Sequence, residues 1–305
     1  MSVVDEYAIG PPSARLRPHV AFYSGYRQRG IAPGLHRGLP SPYLTLIFTM
    51  DEPLIVDAHP DPRQRAGRYD ALIGGLHLGP AIIRHEGRQS GVQVALRPLG
   101  CRALLGLPAG ELSGLDLPAS SVLGPARVEE IREQVSAATS WPARFAAVDR
   151  GLCRALDRPV RIGLSSGGPT PPASGAGAAG TGARATAAAE VAYAWSRLMT
   201  GRVSVAAVAG EVGWSGRHLT DRFRAEVGLR PKEAARVARF DRARRALRPG
   251  ARFSDLASGF GFFDQSHFVR EFQALAGCAP SQWLADEFGF VQAMAGVAAH
   301  HERYD

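Results

Sequence analysis

Two stretches near the C-terminus set arginine, glutamine, serine and threonine at helical intervals. Over 216–227, Leu219 and Phe223 lie four apart and can turn inward together. That leaves Arg217, Thr220, Asp221 and Arg224 on the outward stripe. Over 265–275, Phe268 and Phe272 repeat the pattern, and the outward stripe holds Gln265, Ser266, Val269, Arg270 and Gln273. The chemistry open to such stripes is hydrogen bonding. Arginine forks match guanine and phosphate, glutamine matches adenine, and hydroxyls donate or accept. Asp221 is the odd member: its carboxylate can accept from cytosine N4 or pair with Arg217 or Arg224.

The elements that must hold these stripes form a repeat. Val208 to Phe223, followed by Gly228 and Pro231, resembles Leu256 to Phe272, followed by Gly277 and Pro280; the second copy has one extra residue in its turn. Each copy reads as a short helix, a glycine-containing turn and a longer helix. Gly213 and Gly261 stand where the chain must reverse, and Ser215 and Asp264 can cap the helix that follows. Trp214, Phe262, Phe268, Phe272 and Trp283 are expected in the core. Further helices are expected around Val191, Trp195 and Leu198, over Val205–Val212, Phe253–Gly259 and Ser281–Phe288, and over Pro231–Leu247, which joins the two copies. That joining helix of ~17 residues spans about 25 Å, a fitting spacer for two reading heads ~34 Å apart on one face of a duplex. It carries Arg236, Arg239, Arg242, Arg244 and Arg245, with Phe240 and Leu247 on an apolar side.

The rest of the chain divides around Gly163–Arg184, a run of glycine, alanine, serine and proline with little to bury. The expected domains are residues 1–160, a flexible linker at 161–186, a helical domain at 187–287 and a tail at 288–305. The N-terminal part reads as α+β. Strand signals lie over Tyr43–Phe48, Ala81–His85 and Val92–Leu96, and helical spacing over Val128–Ala138 and Ala143–Leu156. Gly34–Pro40 reads as a loop that presents His36 and Arg37. The chain of 305 residues carries a formal charge of +8, nearly all of it arginine, and suggests an anionic partner. Cys101, Cys153 and Cys278 make neither a disulfide framework nor a zinc motif, so a reducing cytoplasm is the simplest setting. Cys101 opens a helix, where a thiol can be activated, but no base is assigned beside it and a small buried cysteine is the default. His19, His36, His59, His77 and His85 have no metal-ligand spacing. No metal, cofactor or catalytic group is assigned, and no apolar run is long enough to span a membrane.

Gly261, Phe262, Asp264, Ser266, Phe268, Arg270, Phe272, Gly277, Pro280 and Trp283 together resemble the C-terminal signature of AraC/XylS-type transcription regulators. Leu219, Phe223, Gly228 and Pro231 resemble that family's first unit, and the likeness covers about residues 190–287. It implies an all-α domain with two helix-turn-helix units and double-stranded promoter or operator DNA as partner. Bases would be contacted through Arg217, Thr220 and Asp221 in the first unit and Gln265, Ser266 and Arg270 in the second. It also implies an N-terminal domain that senses a small-molecule effector or forms an oligomer, and it leaves RNA polymerase open as a partner. Two rival classes are an enzyme-like N-terminal domain tethered to DNA and a membrane-surface or protein-interaction module using the arginine-rich helix.

Overall fold

A computed structural model describes residues 3–157, 179–201 and 203–286. Its N-terminal part is built on two antiparallel sheets. The first, in the order β1-β2-β9-β4-β7-β10, uses β1 (Val4–Gly10), β2 (Val20–Arg29), β9 (Arg88–Leu96), β4 (Leu44–Thr49), β7 (Ala71–Gly74) and β10 (Asp116–Pro118). The second, β3-β8-β5-β6, uses β3 (Gly34–Gly38), β8 (Ala81–His85), β5 (Leu54–Ala58) and β6 (Gly67–Tyr69). The strands expected at 43–48, 81–85 and 92–96 are present with small changes of end. The stretch at 34–40 read as a loop is instead largely strand β3. Its residues pair with β8 in the register His36↔Ile83 and Arg37↔Ile82, so backbone pairing, not a turn, holds both side chains.

Strand β2 shows how the first sheet serves two sides. Tyr23 is buried and stacks on Phe145, while its hydroxyl donates to Asp149 Oδ2 at 2.9 Å. Its neighbours Phe22, Ser24 and Tyr26, alternating with it along the strand, line a cavity. Short helices α1 (Cys101–Leu105) and α2 (Ser120–Leu123) lead to α3 (Pro125–Ala137) and α4 (Trp141–Asp157), which are the helices expected at 128–138 and 143–156 with their ends moved by one to three residues. Helix α4 lies tight on the sheet because Gly25 leaves room for the Trp141 ring; a Cβ there would sit 2.2 Å from it.

Of the stretch read as linker, residues 161–178 lie outside the described residues, as does the tail from 287. Helix α5 (Ala179–Met199) begins inside that stretch, so the helical region starts about eight residues earlier than the expected boundary at 187. Val191 and Leu198 are buried, and Trp195 stacks on Phe223, as their common face required. Next come α6 (Val205–Glu211), α7 (Gly216–Val227), α8 (Pro231–Ala246), α9 (Phe253–Phe260) and α10 (Gln265–Ala276), then a helix at 280–286. Phe240, Phe268 and Phe272 are fully enclosed, Leu247 is buried, and Trp214 is half-buried against the core.

The two parts meet at both copies of the repeat. Arg102 binds Glu226 at the end of α7 through Nε–Oε1 at 2.6 Å and Nη2–Oε2 at 2.9 Å. Ser113 Oγ donates to the Gly228 carbonyl at 2.6 Å, and a Cβ on Gly110 would strike the Ala225 carbonyl at 2.2 Å. At the other unit, Arg37 Nη1 meets Asp286 Oδ2 at 3.0 Å and Gly277 packs on Pro80.

Candidate nucleic-acid interface

Each longer helix of the repeat begins on the cap its sequence calls for. Ser215 Oγ accepts from the His218 N–H at 3.2 Å, and Asp264 Oδ1 accepts from the His267 N–H at 2.6 Å. Gly213 and Gly261 take φ of +69° and +77°, a conformation that a Cβ would strain. With Leu219, Phe223, Phe268 and Phe272 buried, the opposite stripes face out. Arg217, Asp221 and Arg224 are exposed on α7, and Gln265, Ser266, Arg270 and Gln273 are exposed on α10. Among the described residues no ion pair ties Asp221 to Arg217 or Arg224, so all three charged heads stay available. Two members of the expected set are placed differently. Thr220 is half-buried and returns its hydroxyl proton to the Gly216 carbonyl at 2.8 Å. Val269 is half-buried and packs against the core, which gives it a structural contact as well as its place near the outward stripe.

The arginines of the joining helix α8 behave unlike those of α7 and α10. Arg236 Nε binds Glu271 at 2.6 Å, and Arg239 approaches the same carboxylate at 3.7 Å while its guanidinium sits 4.9 Å from the Phe262 ring centre. Arg242 donates to the Met199 carbonyl at 2.6 Å, and burial lowers its pKa. Arg244 and Arg245 both bind the buried Asp241, at 2.7 and 2.8 Å. The basic stretch that sequence alone would offer to phosphates or a membrane surface is thus largely turned to internal pairing.

The family-model match agrees with this geometry. Residues 208–286 match the family model of a helix-turn-helix domain. The C-terminal part is an AraC-type helix-turn-helix domain. The chain is accordingly a DNA-binding transcription regulator. Residues 9–118 match a domain of unknown function, DUF6597. No curated protein matches the chain in sequence. Among solved structures, ToxT from Vibrio cholerae O395 aligns over 95% of this chain and 99% of its own, at 11% identity and a TM-score of 0.47. Unsaturated fatty acid-bound wild-type ToxT from Vibrio cholerae strain SCE256 aligns over 94% and 97%, at 10% identity and a TM-score of 0.48. The C-terminal domain of AraT, a response regulator from Geobacillus stearothermophilus, aligns over 32% of this chain and 82% of its own, at 18% identity and a TM-score of 0.28.

A second feature of the regulator was not foreseen from its sequence. A cavity of about 230 Å³ lies between the two sheets and reaches the DNA-binding domain. Its body is mostly apolar, with Ile47, Leu54, Val56, Leu72 and Ile83 among its walls, and Arg244, Arg245, Arg248 and Trp283 complete it from the C-terminal side. Burial, with the nearby His85 adding to it, pushes His36 down to about 4, and burial lowers His77, so both cavity histidines are neutral near pH 7. Asp116 is held by His59 Nδ1 at 2.7 Å, and Tyr69 Oη lies 3.3 Å from the other ring nitrogen. Among the described residues, two donors of cavity-lining side chains have no partner: Trp283 Nε1, on a residue only 2% exposed, and Arg244 Nε. Buried polar groups of this kind ordinarily find an acceptor. Sequence reasoning had no route to this site, since its walls come from positions more than 200 residues apart.

Cys101 is buried at the head of α1, and burial with the charge of Glu226 pushes its thiol up to about 12. That is the reverse of activation. Among the described residues no group of three or more His, Cys, Asp or Glu side chains gathers as a metal site, and no helix is long and apolar enough to cross a membrane.

Proposed function

We propose that this regulator places α7 and α10 in successive major grooves and that a ligand of its N-terminal cavity governs how it does so. The observation that carries the DNA reading is the contrast between neighbouring helices. The arginines of α8 from Arg236 to Arg245 meet acids or carbonyls, whereas Arg217, Arg224 and Arg270 stand exposed and, among the described residues, without an ion pair. Helix α8 is about 24 Å long, which suits heads ~34 Å apart once the bodies of the units are added. Direct readers are Arg217, Asp221, Gln265, Ser266 and Arg270, with Arg224 and Gln273 on phosphates, and Thr220 and Val269 at the margins.

The test is selection from random duplex DNA with the full chain, followed by single substitutions. Arg270→Ala should weaken binding to the selected site by ~1–3 kcal/mol and relax preference at one base pair. Arg224→Ala should weaken all sites alike and make the logarithmic salt dependence shallower by ~1. Unchanged binding by both variants would remove these helices from the interface.

For the ligand, an apolar body with an acidic head fits the cavity best. The walls take the body, and Trp283 Nε1, Arg244 and Arg248 supply donors and positive charge for the head. Long-chain carboxylates should raise the melting temperature of the full chain, whereas the matching alcohols should not. Trp283→Phe, which removes only the N–H, should reduce that shift. Equal shifts from alcohols and acids would rule out an acidic head. Because Arg244 and Trp283 belong to the DNA-binding domain, occupancy acts directly on the body that carries both reading heads.

A further inference from the structure

The turn before α10 contains one residue that its counterpart before α7 lacks. In the first turn the Trp214 N–H donates to the Ala209 carbonyl at 2.9 Å, and in the second the Phe262 N–H donates to the Ala257 carbonyl at the same distance. Trp214 and Phe262 therefore occupy equivalent places. Ser215, the first cap, follows Trp214 directly, but Phe263 stands between Phe262 and the second cap, Asp264. Phe263 is 92% exposed, the most exposed large apolar residue among the described residues.

This residue is held in place. Its N–H meets His267 Nδ1 at 3.1 Å, the Asp264 carboxylate accepts from the His267 N–H at 2.6 Å, and the His267 ring lies edge-on to buried Phe262. Backbone on both sides of Phe263 is thereby tied to the first turn of α10. No fold requirement places an aromatic ring there, since the first unit closes its turn without one. The residues that follow it, Gln265 and Ser266, are exposed and carry the proposed base contacts.

We propose that Phe263 is a specificity-determining residue that packs on the C5-methyl of a thymine beside the base pair read by Gln265. The leading end of a recognition helix meets base edges first, and the thymine methyl is the apolar feature those edges present in the major groove. The inference rests on α10 entering the major groove.

The experiment uses the full chain and the DNA site it selects, with each thymine replaced in turn by deoxyuridine, which lacks only the methyl. Wild type should lose about fourfold in affinity at one position, the worth of one buried methyl group. Phe263→Ala should bind the thymine site about fourfold more weakly than wild type and no longer distinguish it from the uracil site there, while Phe263→Leu keeps part of the difference. Retained methyl sensitivity in Phe263→Ala, an equal loss on both DNAs or no loss on either would overturn the proposal. Each of those results leaves α10 in the groove as long as Arg270→Ala still weakens the site. If Arg270→Ala also has no effect, the placement of α10 falls, and this inference with it.

Discussion

Replacing Phe272 with alanine should destabilise the regulator by ~3–5 kcal/mol, a large part of the roughly 5–15 kcal/mol that folded proteins commonly have in reserve. The ring is fully buried, with its centre 5.2 Å from that of Phe240, 5.8 Å from Phe268 and 5.7 Å from Trp283. These partners come from the joining helix, from the same recognition helix and from the closing helix at 280–286. One ring thus fixes the second unit on the spacer that sets its distance from the first. Truncation removes the transferred area and leaves a cavity that three aromatic neighbours cannot collapse into. Denaturant unfolding checks the loss. Phe272→Leu, which keeps most of the volume, should lose much less. DNA affinity should fall for Phe272→Ala near its unfolding range even though the residue touches no base. A loss below 1 kcal/mol would mean that α8, α10 and the closing helix do not share this core.

The helical half was legible because its signals are local. Leu219 with Phe223 and Phe268 with Phe272 mark the inner faces, Ser215 and Asp264 mark the starts, and Gly213 and Gly261 mark the reversals. The structure places every one of these as its type requires. The sheet half was legible only where strands are apolar. Strand β2 escaped notice because its cavity face carries Ser24, Tyr26 and Gln28, and these break the alternation that would have announced it. Residues 34–38 look like a loop for the same reason, since two glycines flank His36 and Arg37 and only pairing with β8 makes them a strand. Charge was the least legible property. Nothing in the spacing of the arginines on α8, which meet Glu271, Asp241 or the Met199 carbonyl, separates them from the exposed arginines on α7 and α10. The partners are set by packing, and the apolar cavity closed by Trp283 and three arginines exists only once the two parts are together.

Replacing Asp241 with alanine is the second large effect expected, about 3 kcal/mol. The carboxylate is almost completely buried between the guanidiniums of Arg244 and Arg245. Removing one partner of a buried ion pair commonly costs 3–5 kcal/mol. The lower figure applies because side chains of Arg244 and Arg245 keep 23% and 32% of their surface in solvent, which tempers the charge left behind. Burial alone would push the Asp241 carboxyl up, but the two guanidiniums outweigh it and hold it below the usual carboxylate range. Its contribution is therefore fully present above the ordinary aspartate value of ~3.9 and is lost as pH falls through the lower value in the folded protein. Wild type and Asp241→Asn should differ most in stability near neutral pH and converge toward pH 3, as measured by urea unfolding across that range. A gap that stays constant down to pH 3 would show that the carboxylate's charge is not what holds the end of α8. The same pairing bears on the ligand. A carboxylate bound at the Arg244 side competes with Asp241 for one guanidinium, so Asp241→Asn should free Arg244 and strengthen binding of long-chain carboxylates while it weakens the fold. A variant that loses both stability and ligand binding would instead mean that Asp241 is needed to hold Arg244 in place at the cavity.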